Sequence, residues 1–193
     1  MKVIKSIAIM GLTASLLIAQ GQGKKKDEAL QSVVHAGKQS AKLLLKTLGS
    51  NMKKNMKAGG PMKALDFCSQ EAYNLTEKVN KELPKGVHVK RISMKFRNPA
   101  NQPATDEAAV LEALQKLKSA NVVLPKQIVQ KVDENTYKYY KPLVINKNVC
   151  LKCHGNIQNP TLKRAIAERY PLDKATHYKM GDLRGAIVVT IKK

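Results

Sequence analysis

Apolar residues recur at helical spacing through the first half of the chain and alternate along strands mostly in the second. From Asp27, Leu30, Val34, Gly37, Ala41, Leu44 and Leu48 form one stripe, and SNMKKNMK can carry that helix on toward Ala58. Gly59-Gly60 stops it, and Pro61 suits the first turn of the next helix. That second helix reads from Pro61 to about Lys81. Leu65, Cys68, Ala72, Leu75 and Val79 form its buried stripe. VHVKRISMKF reads as a strand ending in the loop RNPANQP. Thr105 caps a helix running to about Ser119, with Asp106 and Glu107 in its first turn. QIVQKVDENTYKYYKPLVI reads as two strands joined at Asp133-Glu134-Asn135. A short helix follows over Thr161–Arg169, and Leu183–Ile191 is a closing strand. This order predicts an α+β fold with an antiparallel sheet. The long first helix either folds back on its own domain or packs on a partner subunit as a dimer contact.

The first residues, MKVIKSIAIMGLTASLLIAQGQG, carry Lys2 and Lys5, then an apolar run from Ile7 to Ala19, then small residues. This is the pattern of a secretory leader over residues 1–23. The run is short of the roughly 20 residues that span a bilayer. Residues 24–193 are then one domain, with an N-terminal helix over 24–58 and a core over 61–193. The expected location is the periplasm, and an uncleaved anchor is the alternative. The net charge of +21 favours acidic partners. With no Trp and few aromatic residues for stacking, nucleic acid is not expected.

Export makes the three cysteines informative, because an odd count in an oxidising compartment leaves one thiol unpaired or bound. Cys150, Cys153 and His154 form C-x-x-C-H within NVCLKCHGN. This is the attachment signal for one covalent haem c. Cys150 and Cys153 would become thioethers, and His154 would be the proximal iron ligand. Three rivals remain. One is a zinc site that adds Cys68 to the motif residues. Another is a dithiol redox pair. The last is a Cys150–Cys153 disulfide. For the sixth ligand, the pattern offers Cys68, Met94, Met180, His35, His88 and His177. Each also has an ordinary reading as packing or surface. Arg97, with Asn98, in the RNPAN loop and Arg184, with Lys179 and Asp182, before the last strand are candidate partners for the haem propionates. Tyr137, Tyr139 and Tyr140 lie on the strand before the motif. Tyr139 is the candidate to pack on the porphyrin.

Four segments together resemble one family. They are GGPMKALDFCSQEA, ISMKFRNPANQP, YKYYKPLVINKNVCLKCHG and YPLDKATHYKMGDLRGAIVV. The family is the haem c-binding PAS-like domain, found as exported cytochromes and as the sensory region of bacterial receptors and histidine kinases. The likeness covers roughly residues 27–192 and departs at Phe96, where a proline is expected. It implies a PAS-like antiparallel sheet flanked by helices, with Cys68 as the distal ligand opposite His154. A thiolate ligand would stabilise ferric iron and lower the reduction potential. Loss of Cys68 on reduction would open a site for NO or CO. The expectation is therefore a redox or gas-sensing cytochrome that passes its signal to a separate partner. The alternative is an electron carrier docking an acidic protein. No acid/base pair accompanies the motif, so an enzyme is not expected.

Overall fold

The computed structural model describes residues 14–193, with side chains from Asp27 onward. The leader assigned to residues 1–23 therefore lies outside the described side chains, and residues 1–13 lie outside the described structure. Among the described residues, no helix is long and apolar enough to cross a membrane.

Helix α1 spans Ala14–Gln70 and is broken at Gly59 and Gly60. Gly60 has φ of 65°, a left-handed conformation that glycine adopts without the steric cost of a Cβ. Pro61 follows as the first residue of the second limb, where a missing N–H costs nothing. The break thus falls where the sequence places it. Helix α2 (Ala72–Glu82) continues the second limb through Glu71, whose N–H and carbonyl keep helical hydrogen bonds to Phe67 and Leu75 at 2.9 Å, so the helical path runs from Pro61 to Glu82 as expected. Strands β1 (Val87–Ile92), β2 (Ile128–Lys131), β3 (Thr136–Val144) and β4 (Leu183–Lys192) pair antiparallel in the order β1-β4-β3-β2. The fold is α+β and PAS-like, with a long N-terminal helix. β1 ends at Ile92, four residues before the expected Phe96. There the Ser93 N–H turns to the Asn101 carbonyl and the Ser93 hydroxyl to that of Arg184.

The sheet buries both faces. Val89, Tyr139, Ile187, Val189 and Ile191 pack under α1 and α2, against Val33, Ala41, Leu44, Phe67 and Val79. From Val33 onward α1 therefore folds back on its own sheet. The stripe is rotated slightly from the expected one. Val33 is fully buried, whereas Leu30 is 45% exposed. The opposite face sets Tyr140, Ala186 and Val188 against Leu111 and Leu114 of α3 (Thr105–Ser119). Tyr139 and Tyr140 thus serve opposite cores, as strand alternation requires. Gly37 lets α1 approach the sheet, because a Cβ there would overlap the Tyr139 ring at its Cγ.

Ala104, not Thr105, occupies the N-cap of α3. The first turn is held instead by Glu107. Its carboxylate accepts the Ala104 N–H at 2.9 Å and pairs with Lys90 at 2.8 Å and Lys138 at 3.1 Å. Lys138 also reaches Asp106 at 2.6 Å. Burial pushes the Glu107 pKa up, but the Lys90, Ala104 and Lys138 hydrogen bonds outweigh it and hold the carboxyl below its usual range. The Lys138 hydrogen bond does the same for Asp106.

Two outcomes are expected. Gly37→Ala should destabilise by about 1–3 kcal/mol through overpacking, exceeding the helix-propensity gain of about 1 kcal/mol. A neutral or stabilised variant in urea unfolding would contradict this contact. Both carboxyls titrate lower folded than unfolded, so their stabilisation is present above about pH 4 and is lost as pH falls through their folded values. Urea unfolding at neutral and acid pH should therefore show a smaller pH dependence for Glu107→Gln than for the native chain. An equal dependence would place the acid-sensitive groups elsewhere.

Candidate functional site

The cysteine motif forms a short helix, α4 (Asn148–His154). At a spacing of three residues, Cys150 and Cys153 share one face of it. They border a cleft of about 330 Å³, within the size range of small-molecule and cofactor sites. The first limb of α1 gives Met52 and Met56 to the cleft, and the second limb gives Ala64, Leu65 and Cys68. The sheet end gives Arg91, Ser93, Leu143 and Gly185. Val149 and His154 of α4, together with Arg97, Tyr170 and Arg184, also line the cleft. The cleft thus brings together Cys68, Arg97, Asn98, Cys150, Cys153, His154 and Arg184. Tyr139 stands apart. It is 2% exposed in the core under α1 and does not border the cleft, because its position in the strand alternation faces Gly37.

The second limb of α1 carries Cys68 and is held by helix α5 (Pro160–Arg169). Leu65 packs with Leu162, Ala165, Ile166 and Tyr170, and Asp66 pairs with Arg169 at 2.6 Å. Burial raises the Cys68 thiol pKa, against the opposing fields of Arg91 and Arg97. Burial likewise raises that of Cys153. The Tyr170 hydroxyl is pushed up to about 12, first by burial and then by Cys68. All three cysteines are free thiols in this structure. Among the described residues, no three His, Cys, Asp or Glu side chains gather to hold a metal ion. The zinc alternative therefore has no ready ligand set.

His154 is oriented by its surroundings. Its Nδ1 lies 3.0 Å from the Ala175 carbonyl, which can only accept. Nδ1 therefore carries the proton, and Nε2 keeps its lone pair. Burial and the charges of Arg184 and Arg97 lower its pKa to about 3, against the partial support of Ala175. The imidazole is thus neutral at physiological pH. The Tyr178 ring stands edge-on to it, with centroids 6.4 Å apart. The Tyr178 N–H donates to the His154 carbonyl at 2.9 Å.

Arg97 ties this arrangement together. Its Nη2 reaches the Cys153 carbonyl at 2.7 Å, the Ala175 carbonyl at 3.2 Å and Asp173 Oδ2 at 3.0 Å. Asp173 Oδ1 in turn accepts the Ala175 N–H at 2.8 Å. Arg97 is therefore mainly a brace for α4 and the histidine, which a sequence reading as a propionate partner does not convey. Arg184 Nη1 donates to Ser93 Oγ at 2.7 Å and to the Lys95 carbonyl at 3.1 Å. The remaining ligand candidates lie elsewhere. Met94 and Met180 are 45% and 49% exposed, and His35, His88 and His177 do not border the cleft.

Sequence reasoning missed Arg91, Met52 and Met56. Arg91 follows Val87 and Val89 at two-residue spacing on β1, so a cation sits in an inward series. Met52 and Met56, four apart on α1, carried a helical-face signal. Among the described residues, no carboxylate borders the cleft, and Arg91 Nε and Arg97 Nε are buried without a hydrogen-bond partner. Thiols, an imidazole lone pair, apolar walls and underused cations suit a largely apolar, anionic group with a metal that accepts nitrogen and sulfur.

Arg97 and Asp173 are both under one-tenth exposed. Asp173→Asn should therefore destabilise the chain by about 3 kcal/mol, as expected when a buried pair loses one charge. Chemical denaturation measures this. A loss no greater than the roughly 1 kcal/mol of an exposed pair would mean that the brace is not used.

The fold also occurs in the crystal structure of the cyanobacterial heme-protein Tll0287, which matches at 24% identity with a TM-score of 0.55, covering 86% of this chain and 96% of that one. No curated protein matches the chain. The Tll0287-like family model matches residues 24–192, nearly the whole chain, and the chain belongs to that family.

Proposed function

We propose that this chain is an exported haem protein of the periplasm. It would carry one haem c, attached through Cys150 and Cys153, with His154 and Cys68 as the residues that would hold the iron. The observation that carries this reading is that all four residues border one cleft, with His154 held by Ala175 so that Nε2 is available. Support also comes from the family and from the fold shared with a protein described as a heme-protein.

Bound haem supplies an iron that takes up one electron and binds diatomic gases at an open position. The chain's own residues decide how that iron is held. Ala175 and Arg97 fix the imidazole. Apolar walls from α1 limit water. Cys68 offers a soft sulfur, and burial favours its protonated form whenever it is not bound to a metal. A donor that prefers its neutral state leaves a metal more readily when the metal loses charge. This favours a redox-responsive or NO/CO-responsive role over simple electron carriage. The high net charge is the feature that favours the carrier reading, through an acidic partner.

The protein matured with cytochrome assembly machinery should show a low-spin ferric spectrum with thiolate character by optical absorption and EPR. Cys68→Ala should lose that character while retaining haem. Reduction of the native protein should then permit CO binding. Spectra unchanged by the substitution would remove Cys68 as a donor. Native protein that keeps both donors on reduction and ignores CO and NO would be an electron carrier.

A further inference from the structure

We propose that Arg91 forms a carboxylate-binding subsite on the sheet wall of the cleft, and that its ligand is a propionate arm of the haem. The identity of that ligand rests on the haem reading above. The subsite itself rests on the placement of Arg91.

Val87 and Val89 point toward the core under α1, and Arg91 is the next residue of that series on β1. At its position the core opens into the cleft. Burying a guanidinium requires acceptors for its N–H groups. Arg91 Nε is buried and has none among the described residues. Nor does Arg91 take part in any of their ion pairs.

The other two arginines of the cleft are differently placed. Asp173 neutralises Arg97. Arg184 meets neutral groups, namely Ser93 Oγ, the Lys95 carbonyl and the face of the Tyr178 ring at 5.3 Å. Two guanidinium charges, those of Arg91 and Arg184, are thus left unneutralised beside a cleft that has no carboxylate of its own. Haem brings two carboxylates. A carboxylate presents two coplanar oxygens that match the guanidinium fork, which a lysine ammonium does not. Cys68 is the competing anion, because as a thiolate it could neutralise Arg91 without any carboxylate.

The full chain, free of attached haem and kept reduced, is titrated with ferric haem and with its dimethyl ester while the Soret band is followed. Arg91→Gln and Arg91→Lys are measured alongside, with circular dichroism to verify folding. The native chain should prefer the acid over the ester by roughly ten- to a hundredfold, the range of a charge-assisted hydrogen bond. Arg91→Gln should lose most of that preference, and Arg91→Lys should keep part of it. An equal preference in all three proteins would overturn the proposal, because another group would then hold the carboxylates. No preference in the native chain would overturn the propionate assignment and leave Cys68 as the counter-ion. If neither tetrapyrrole binds, the haem reading fails, and acetate is titrated against the arginine side-chain NMR signals. A saturable response absent in Arg91→Gln would then retain the subsite with a free carboxylate as its ligand, and no response would overturn it.

Discussion

A single buried guanidinium holds the candidate site in shape. Arg97 joins the carbonyl at the end of the cysteine helix to the Asp173–Ala175 segment, and that segment orients His154. This brace adds a side-chain link to the backbone bonds that already join the pieces, Tyr178 N–H to the His154 carbonyl and Lys174 N–H to the Phe96 carbonyl, both at 2.9 Å. The arrangement is stable because the charge is matched in place. Asp173 neutralises Arg97 and accepts the Ala175 N–H with its other oxygen. A buried cation of this kind is costly alone and positions its neighbours well when paired.

Cys68 reaches the cleft by a different route. The break at Gly59 and Gly60 separates two jobs within one helix. The first limb covers the sheet, using Gly37 to let the Tyr139 ring in. The second limb is anchored by α5 through Leu65 and through the Asp66–Arg169 pair. The cleft is the space left where the two limbs, the end of the sheet and the cysteine helix do not close on one another. Its donors therefore come from α1 and α4, and its free charge comes from the strands.

Much of this was legible in the sequence. Strand and helix periods placed the main elements, and Gly59-Gly60-Pro61 located the break to the residue. Cys68, on a helical stripe with Leu65 and Ala72, was readable as inward-facing. Other features depended on geometry that spacing does not encode. Tyr139 was expected at the porphyrin because it precedes the cysteine motif in sequence. A two-residue period fixes its face, but only the partner helix decides what covers that face. Arg97 was visible as a conspicuous cation, yet its partners lie 56 to 78 residues away. Arg91 was missed because a charged residue ending a strand usually reads as solvated.

The most direct test of the central claim is the intact mass of the chain under denaturing conditions after production with cytochrome maturation machinery. The account predicts that the native chain keeps the mass of one haem after unfolding, and that the Cys150→Ser, Cys153→Ser double variant does not. A native chain that unfolds to its bare polypeptide mass would contradict covalent attachment at this motif.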